Sequence, residues 1–447
     1  MATGCKGGGG GGAATAQFIL TVTISGSSRG TVTSSPSGIN CGATCSASFD
    51  GGTVVTLAAT PVSSAVFGGW SGDLDCSDGQ VTLSSAVHCD AGFNLSPSSK
   101  ATAVAGGGLF SLVQRSDGTV WAWGIDTGGQ LGNGTNINSN VPLPVSGLTG
   151  VVTIVGGENH SLALKNDGTV WTWGDNTFGQ LGNGTNTSSN VPVPVSNLTG
   201  VVAISGGGNH SLALKSDGTI WAWGDNTHGQ LGDNTNTNSN VPVQLSNFTG
   251  AVAIAGGGSH SLALKSDGTV WAWGSNSSGQ LGNGTTTDSL VPVQASGLAG
   301  VVAIAGGENH SLALKNDGTV WAWGVNTYGQ LGNGTYTESH LPVPVSNLTG
   351  VVAIAGGASH SLALRNDGTV LAWGLNTYGQ LGNGTFADSN VPVQVSNLSG
   401  AVAISGGGLH SLAVKNDGTA WAWGANRFGQ LGNGTITIAN LPAQVSL

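Results

Sequence analysis

From residue 101 onward the chain repeats itself every 50 residues without insertion or deletion, and Trp121, Trp171, Trp221, Trp271, Trp321, Leu371 and Trp421 mark one phase of seven copies. A unit this short cannot bury its own apolar faces and has to stack on its neighbours, which narrows the choice to solenoids and propellers. The copy at 301–350 reads as strands: VVAIAGG is an apolar run, HSLALK alternates, NDG is a turn, TVWAWG alternates, and LPVPV alternates with proline. Four short strands per unit are the content of a propeller blade, so seven blades are predicted, starting near residues 101, 151, 201, 251, 301, 351 and 401. The most continuously apolar run suits the crowded inner position, and the proline-bearing strand suits the outer edge, where a missing N–H faces solvent. Alternation in TVWAWG sends Trp321 and Trp323 to one face and Val320 and Ala322 to the other, so large rings are expected to meet small residues of the next blade. Nothing like LPVPV precedes residue 101, whereas Leu441 to Val445 ends the chain. We therefore expect a shared blade, in which the terminal strand completes the sheet begun by residues 101 to 124 and locks the ring.

Composition supports an all-β chain. Charged residues make up 7% and there are 79 glycines, with only 11 Lys and Arg to line the exposed faces of helices. The net charge of −10, with no basic run or tail, argues against nucleic acid and anionic membrane surfaces as partners. No stretch reaches the roughly 18 apolar residues of a membrane-spanning helix.

Residues 1–16 differ from the rest. Ala2-Thr3-Gly4-Cys5, followed by Lys6 and glycines 7 to 12, resembles the end of a bacterial lipoprotein signal with its flexible tether. That resemblance implies a lipid on Cys5 and an extracytoplasmic, surface-attached or secreted protein; the alternative is an unpaired Cys in a flexible tail. Residues 17–100 read as a small all-β module, with alternation in FILTVTI and TVVTLAAT between turn clusters. Its four cysteines lack the Cys-x-x-Cys or His spacing of a metal site, so disulfides are expected, Cys41 with Cys45 and Cys76 with Cys89, each closing a local loop. Such bridges imply an oxidising compartment. The run GTVTSSPSGINCGATCSASFDGGTVVTLAATP, then FGGWSGDLDC, resembles the extracellular bacterial internalin B-type repeat over residues 17–95. In that family the module is a spacer, and Trp70 falls where the family buries a tryptophan.

In the repeats, GGxxHSLALKxDGTVWAWGxNxxGQLGNGT resembles the repeat of the regulator of chromosome condensation family throughout residues 101–447. The resemblance implies a seven-bladed propeller, in agreement with the strand count. Its eukaryotic members exchange guanine nucleotide on a small GTPase, and a secreted bacterial relative inhibits β-lactamases by laying a propeller face over the enzyme. Exchange is the weaker expectation, because these copies carry no inserted wedge and the chain no basic tail.

Residues that repeat in phase invite chemistry. His160, His210, His260, His310, His360 and His410 share one phase, with Phe110 in the first copy. Positions spread round a ring cannot converge on one metal, so each His is expected to bond a turn of its own blade. Asp117 and its six equivalents precede a Gly two residues after a Lys or Arg, which reads as a turn with a self-neutralising charge pair. Asn-Gly in GNGT reads as a tight turn, replaced by Asp233-Asn234 in the third copy. Paired carboxylates, a nucleophile elbow and a Ser-His-Asp cluster do not stand out, so neither enzyme activity nor a cofactor or metal is expected.

Function is sought where the copies disagree. One variable segment follows TVWAWG and a second follows GNGT; between them they place Phe178, His228, Tyr328, Tyr336, Tyr378, Phe386 and Phe428 on an otherwise polar rim. Rings there add contact area at little entropic cost, which suits a surface that holds a protein or glycan; alternatively they pin their own loops. A monomeric binding scaffold is the expectation.

Overall fold

A computed structural model describes residues 16–25, 30–41, 45–61, 65–95 and 100–447; the lipidation candidate Cys5 and the glycine run lie outside the described residues. The chain divides into two compact units, Met1–Ser99 and Lys100–Leu447.

The first unit holds two four-stranded sheets. One runs Ser46–Asp50, Gln17–Ser25, Val87–Leu95, Ala65–Gly72, and the other Asn40–Cys41, Gly30–Ser35, Val54–Pro61, Gln80–Thr82. Alternation puts Leu20, Val22, Val32, Val55 and Phe93 into a common core. Cys41 pairs with Cys45 and Cys76 with Cys89, with Cα atoms 4.6 and 5.6 Å apart. Trp70 is only half-buried, edge-on to Phe67 at 5.2 Å.

The second unit is a seven-bladed propeller. In the first blade Ala101–Gly106, Phe110–Arg115, Val120–Gly124 and Ser139–Pro144 pair in chain order as an antiparallel sheet, and each later repeat does the same 50 residues on. The apolar first strand is innermost and the proline-bearing fourth strand is the outer edge.

The expected shared blade is not found. Ala439–Gln444 pairs with Ala420–Gly424 of its own repeat, and the outer place of the first sheet is already filled by Ser139–Pro144, so that sheet has no vacancy. The ring instead closes by the contact that joins every other pair of blades. Trp123 Nε1 donates to the Gln430 carbonyl at 2.9 Å as Trp173 Nε1 does to Gln130, and Ser111 Oγ donates to Gln430 O as Ser161 Oγ does to Gln130 O. Ala101, Val104, Val113 and Trp123 share a core with Leu412, Val414, Ala422 and Leu431.

Two further expectations are corrected by the same seams. The second tryptophan of each blade packs on the preceding blade, not the next: Trp173, fully buried, meets Leu112, Ala122 and Leu131. The first tryptophan is only half-buried and lies under the basic side chain of its own hairpin, as Lys165 Nζ does 5.4 Å above Trp171. The basic residue therefore covers a ring more than it neutralises its Asp, and Lys415–Asp417 at 3.5 Å is the one such ion pair among the described residues. Asp167 in turn accepts from the Thr169 N–H and hydroxyl, closing an Asx turn.

Candidate binding face

Antiparallel order sends the loops between first and second strands, and those between third and fourth strands, to one end of the propeller. The Asp-Gly hairpins and the connections between repeats go to the other. Both variable segments therefore lie on the same end, which we call the loop face.

At its centre the seven inner strands come together. A methyl group on Gly256 would sit 2.6 Å from the Gly206 carbonyl oxygen, and glycine is needed there for that close approach. Just beyond, backbone N–H groups donate from each blade to the next round the axis: Gly108 to Glu158, Glu158 to Gly208, Gly208 to Gly258, Gly258 to Glu308, Glu308 to Ala358, Ala358 to Gly408, and Gly408 to Gly108, at 3.0 to 3.3 Å. This closed ring of seven bonds floors an axial cup of about 430 Å³, whose rim carries Glu158 and Glu308 together with Leu109 and Leu409 of the adjoining first and seventh blades. Partial desolvation against the wall of the cup, although the residue as a whole is exposed, and to a lesser degree the Glu158 charge push the Glu308 carboxyl above its ordinary value.

The histidines stand behind this ring, each fully buried at a seam between two blades. His160 Nε2 bonds the Ser211 hydroxyl at 2.9 Å, and the pattern continues to His410 with Ser111 at 2.8 Å. Each histidine thus reaches the next blade, not a turn of its own. Since Ser211 Oγ donates to the Gln180 carbonyl, its oxygen receives the Nε2 proton, and burial keeps the other ring nitrogen unprotonated at neutral pH. Burial lowers these imidazoles from 6.5 to about 4 at His160, His310 and His410 and to about 3 at His210, His260 and His360. Among the described residues no cluster of three or more His, Cys, Asp or Glu is gathered to hold a metal ion.

The outer loops are held by a residue the sequence reading passed over. Asn176 is fully buried; its Oδ1 accepts from Leu181 N–H and its Nδ2 donates to the Thr185 and Thr187 carbonyls. The third to seventh blades use the equivalent Asn, whereas the first has Asp126, whose Oδ1 still accepts from Leu131 but which brings no N–H for the carbonyls. Burial raises its carboxyl from 3.8 to about 6. The signal was one acidic residue in a column of asparagines. In the GNGT turns the Asn side chain accepts from the Thr two residues on, and the following Gly takes the positive φ, +83° at Gly184; in the third copy Asn234 takes it, at +67°.

On this frame the candidate aromatic residues separate. Phe178 and Phe428 are half-buried, and His228 is exposed with Nδ1 2.8 Å from Asp288 of the next blade. Tyr328, Tyr336, Tyr378 and Phe386 are exposed by 39 to 54% and sit on the adjacent fifth and sixth blades. Ile436 and Ile438 on the seventh blade and Ile137 on the first, which sequence reading missed, extend the apolar stretch. At the same phase the second to fourth blades present Asn186-Thr187, Asn236-Thr237 and Thr286-Thr287. The rim is therefore half apolar and half polar.

Comparison with known proteins agrees with this architecture. The model of the RCC1-like domain matches residues 26–302, and that of the regulator of chromosome condensation (RCC1) repeat matches 317–364, 367–414 and 417–447. Yeast RCC1 (Prp20), solved with Kap60 bound, is 25% identical over 73% of this chain and 83% of its own, with a TM-score of 0.67. Prp20p from Saccharomyces cerevisiae, in a study of its binding to Gsp1p and histones, is 25% identical over 78% and 88%, also at 0.67. Human WBSCR16 is 29% identical over 71% and 87%, at 0.65.

Proposed function

Because the chain belongs to the family of RCC1-repeat propellers, we propose that it is a non-catalytic scaffold that holds a protein partner on its loop face. The observation that carries this reading is the apolar arc of Tyr328, Tyr336, Tyr378 and Phe386, continued by Ile436 and Ile137, on loops whose backbones are pinned by buried Asn326, Asn376 and Asn426 and, in the first blade, by Asp126. Aromatic side chains on a rigid frame lose little entropy on binding. The yeast relative is itself a protein binder, with Kap60 bound to it in one structure. A place outside the cytoplasm, with Cys5 as a lipid anchor, is part of the proposal; it is supported by the lipoprotein-like start and by the paired cysteines of the first unit.

The test is affinity capture from the native organism with the full chain beside a variant carrying Tyr328→Ala, Tyr336→Ala, Tyr378→Ala and Phe386→Ala. The expected result is a partner retained by the wild type and lost by the variant; equal retention refutes the face. A panel of β-lactamases is included because of the inhibitory relative. Accelerated nucleotide release from a small GTPase would replace this reading by exchange activity.

A further inference from the structure

Within residues 101–447 there are 16 acidic and 8 basic side chains, and the fold sorts them unequally. The hairpins at the far end carry seven Asp, Asp117 and its equivalents, and seven Lys or Arg, Arg115 and its equivalents, and Lys100 lies beside the last hairpin, so that end has no negative excess. All nine remaining carboxylates lie in loops of the loop face, where Arg427 is the one Lys or Arg. The loop face therefore carries a net charge of −8, nine carboxylates against one Arg, and the far end none of the negative excess. Some of these carboxylates serve the fold, such as Asp126 and Asp225, which are buried. Glu158, Asp288, Glu308, Glu338 and Asp388 are exposed. Two of them, Glu158 and Glu308, stand on the rim of the axial cup, a concavity of low-dielectric wall that concentrates the field.

We infer that the partner docks through a basic protein surface, with lysine or arginine side chains directed at the axial cup and an apolar patch covering the arc of the fifth to seventh blades. This inference rests on the scaffold reading above and names the chemistry of its partner. A basic surface would be steered to the loop face in preference to the far end, whereas an acidic one would be repelled from the face that holds the aromatic residues. Asp288 and Glu338 lie against His228 and His340, at 2.8 and 3.2 Å, and the loops of this face carry no Lys.

The experiment uses the full chain with a fluorescent dodecalysine peptide as the probe and a dodecaglutamate peptide as control, at about 0.02 M and about 0.5 M salt, where screening lengths differ several-fold. A loop-face variant carries Glu158→Gln, Asp288→Asn, Glu308→Gln, Glu338→Gln and Asp388→Asn; the natural Asn138 and Asn238 occupy the phase of the last Asp, and Asn238 Oδ1 caps the same backbone N–H as Asp388 does. A far-end variant carries Asp167→Asn, Asp217→Asn, Asp267→Asn, Asp317→Asn and Asp367→Asn, which removes the same charge and keeps the accepting oxygen of each turn. Dodecalysine is expected to bind at low salt, to weaken by about tenfold or more in the loop-face variant, and to bind the far-end variant no more weakly than the wild type. Zero-length carbodiimide coupling is expected to join probe lysines to Glu158 and Glu308. Equal weakening in both variants, coupling chiefly to the hairpin aspartates, or no binding at low salt would overturn the inference. The four-aromatic variant separates this from the scaffold reading, since it should keep dodecalysine binding. If the loop-face charge variant still captures the native partner while the aromatic variant does not, the basic-partner inference falls and the scaffold stands.

Discussion

Acid should dismantle this propeller through its six buried histidines, and the magnitude follows from their surroundings. Each is held neutral between blades with a folded value of about 3 or 4, whereas in the unfolded chain it titrates at about 6.5. A lowered folded value means that the unfolded state binds more protons below 6.5. Stability is thus complete above that pH and is lost as pH falls towards 4 and then 3. At pH 5 each histidine removes about 2 kcal/mol, and six together remove on the order of 12 kcal/mol, comparable with the whole stability of an ordinary domain. Asp126 works in the opposite sense but is a single group. Phe110 shows which replacement the site accepts, since it fills the first blade's histidine position fully buried. The perturbation is therefore His→Phe, first at His210 and His360, then at all six. The assay is denaturant unfolding followed by tryptophan fluorescence between pH 7.5 and pH 5, read as the slope of unfolding free energy on pH. The double variant should lose about a third of the slope and the six-fold variant nearly all of it. An unchanged slope in the six-fold variant would refute the assignment of acid sensitivity to these residues.

Asp126→Asn should stabilise the protein at pH 7 by about 2 kcal/mol, because the amide supplies the N–H that its six equivalents donate. The gain should shrink as pH falls through about 6, where the native carboxyl takes up its own proton; thermal melts at pH 7.5 and pH 5.5 measure it. Ser111→Ala should destabilise by about 1 to 3 kcal/mol, more than Ser161→Ala, because it leaves His410 Nε2 buried without a partner, whereas the blade before Ser161 offers Phe110. Equal losses would argue that closure does not use this bond. Gly256→Ala should be among the most damaging single-methyl changes, since the new carbon would press on the Gly206 carbonyl; a melt unchanged from wild type would contradict the close approach of the inner strands.

The loop face was legible only in fragments. The variable segments stood out because seven copies in one chain can be aligned on each other, and Tyr328, Tyr336, Tyr378 and Phe386 were found that way. Phe178 and Phe428 are half-buried, which period alone does not reveal, because it does not say how far a side chain in an irregular loop leans back onto its own blade. Asn176 and its equivalents were invisible as organisers because a polar residue in a loop is ordinarily exposed, and only the coordinates place it at no exposure among three backbone partners.

What the chain sequence determined by itself is everything repeated within 50 residues: the strand count, the inner and outer places, the Asp-Gly hairpins and the number of blades. Those follow from alternation, proline and glycine, which act on neighbours along the chain. Tertiary structure alone decided which neighbouring blade receives each tryptophan and histidine, how the ring closes, and that the net negative charge of the propeller falls at one end. Those outcomes depend on the twist of the sheets and on contacts such as Ser111 with His410, 299 residues apart, which no local pattern encodes.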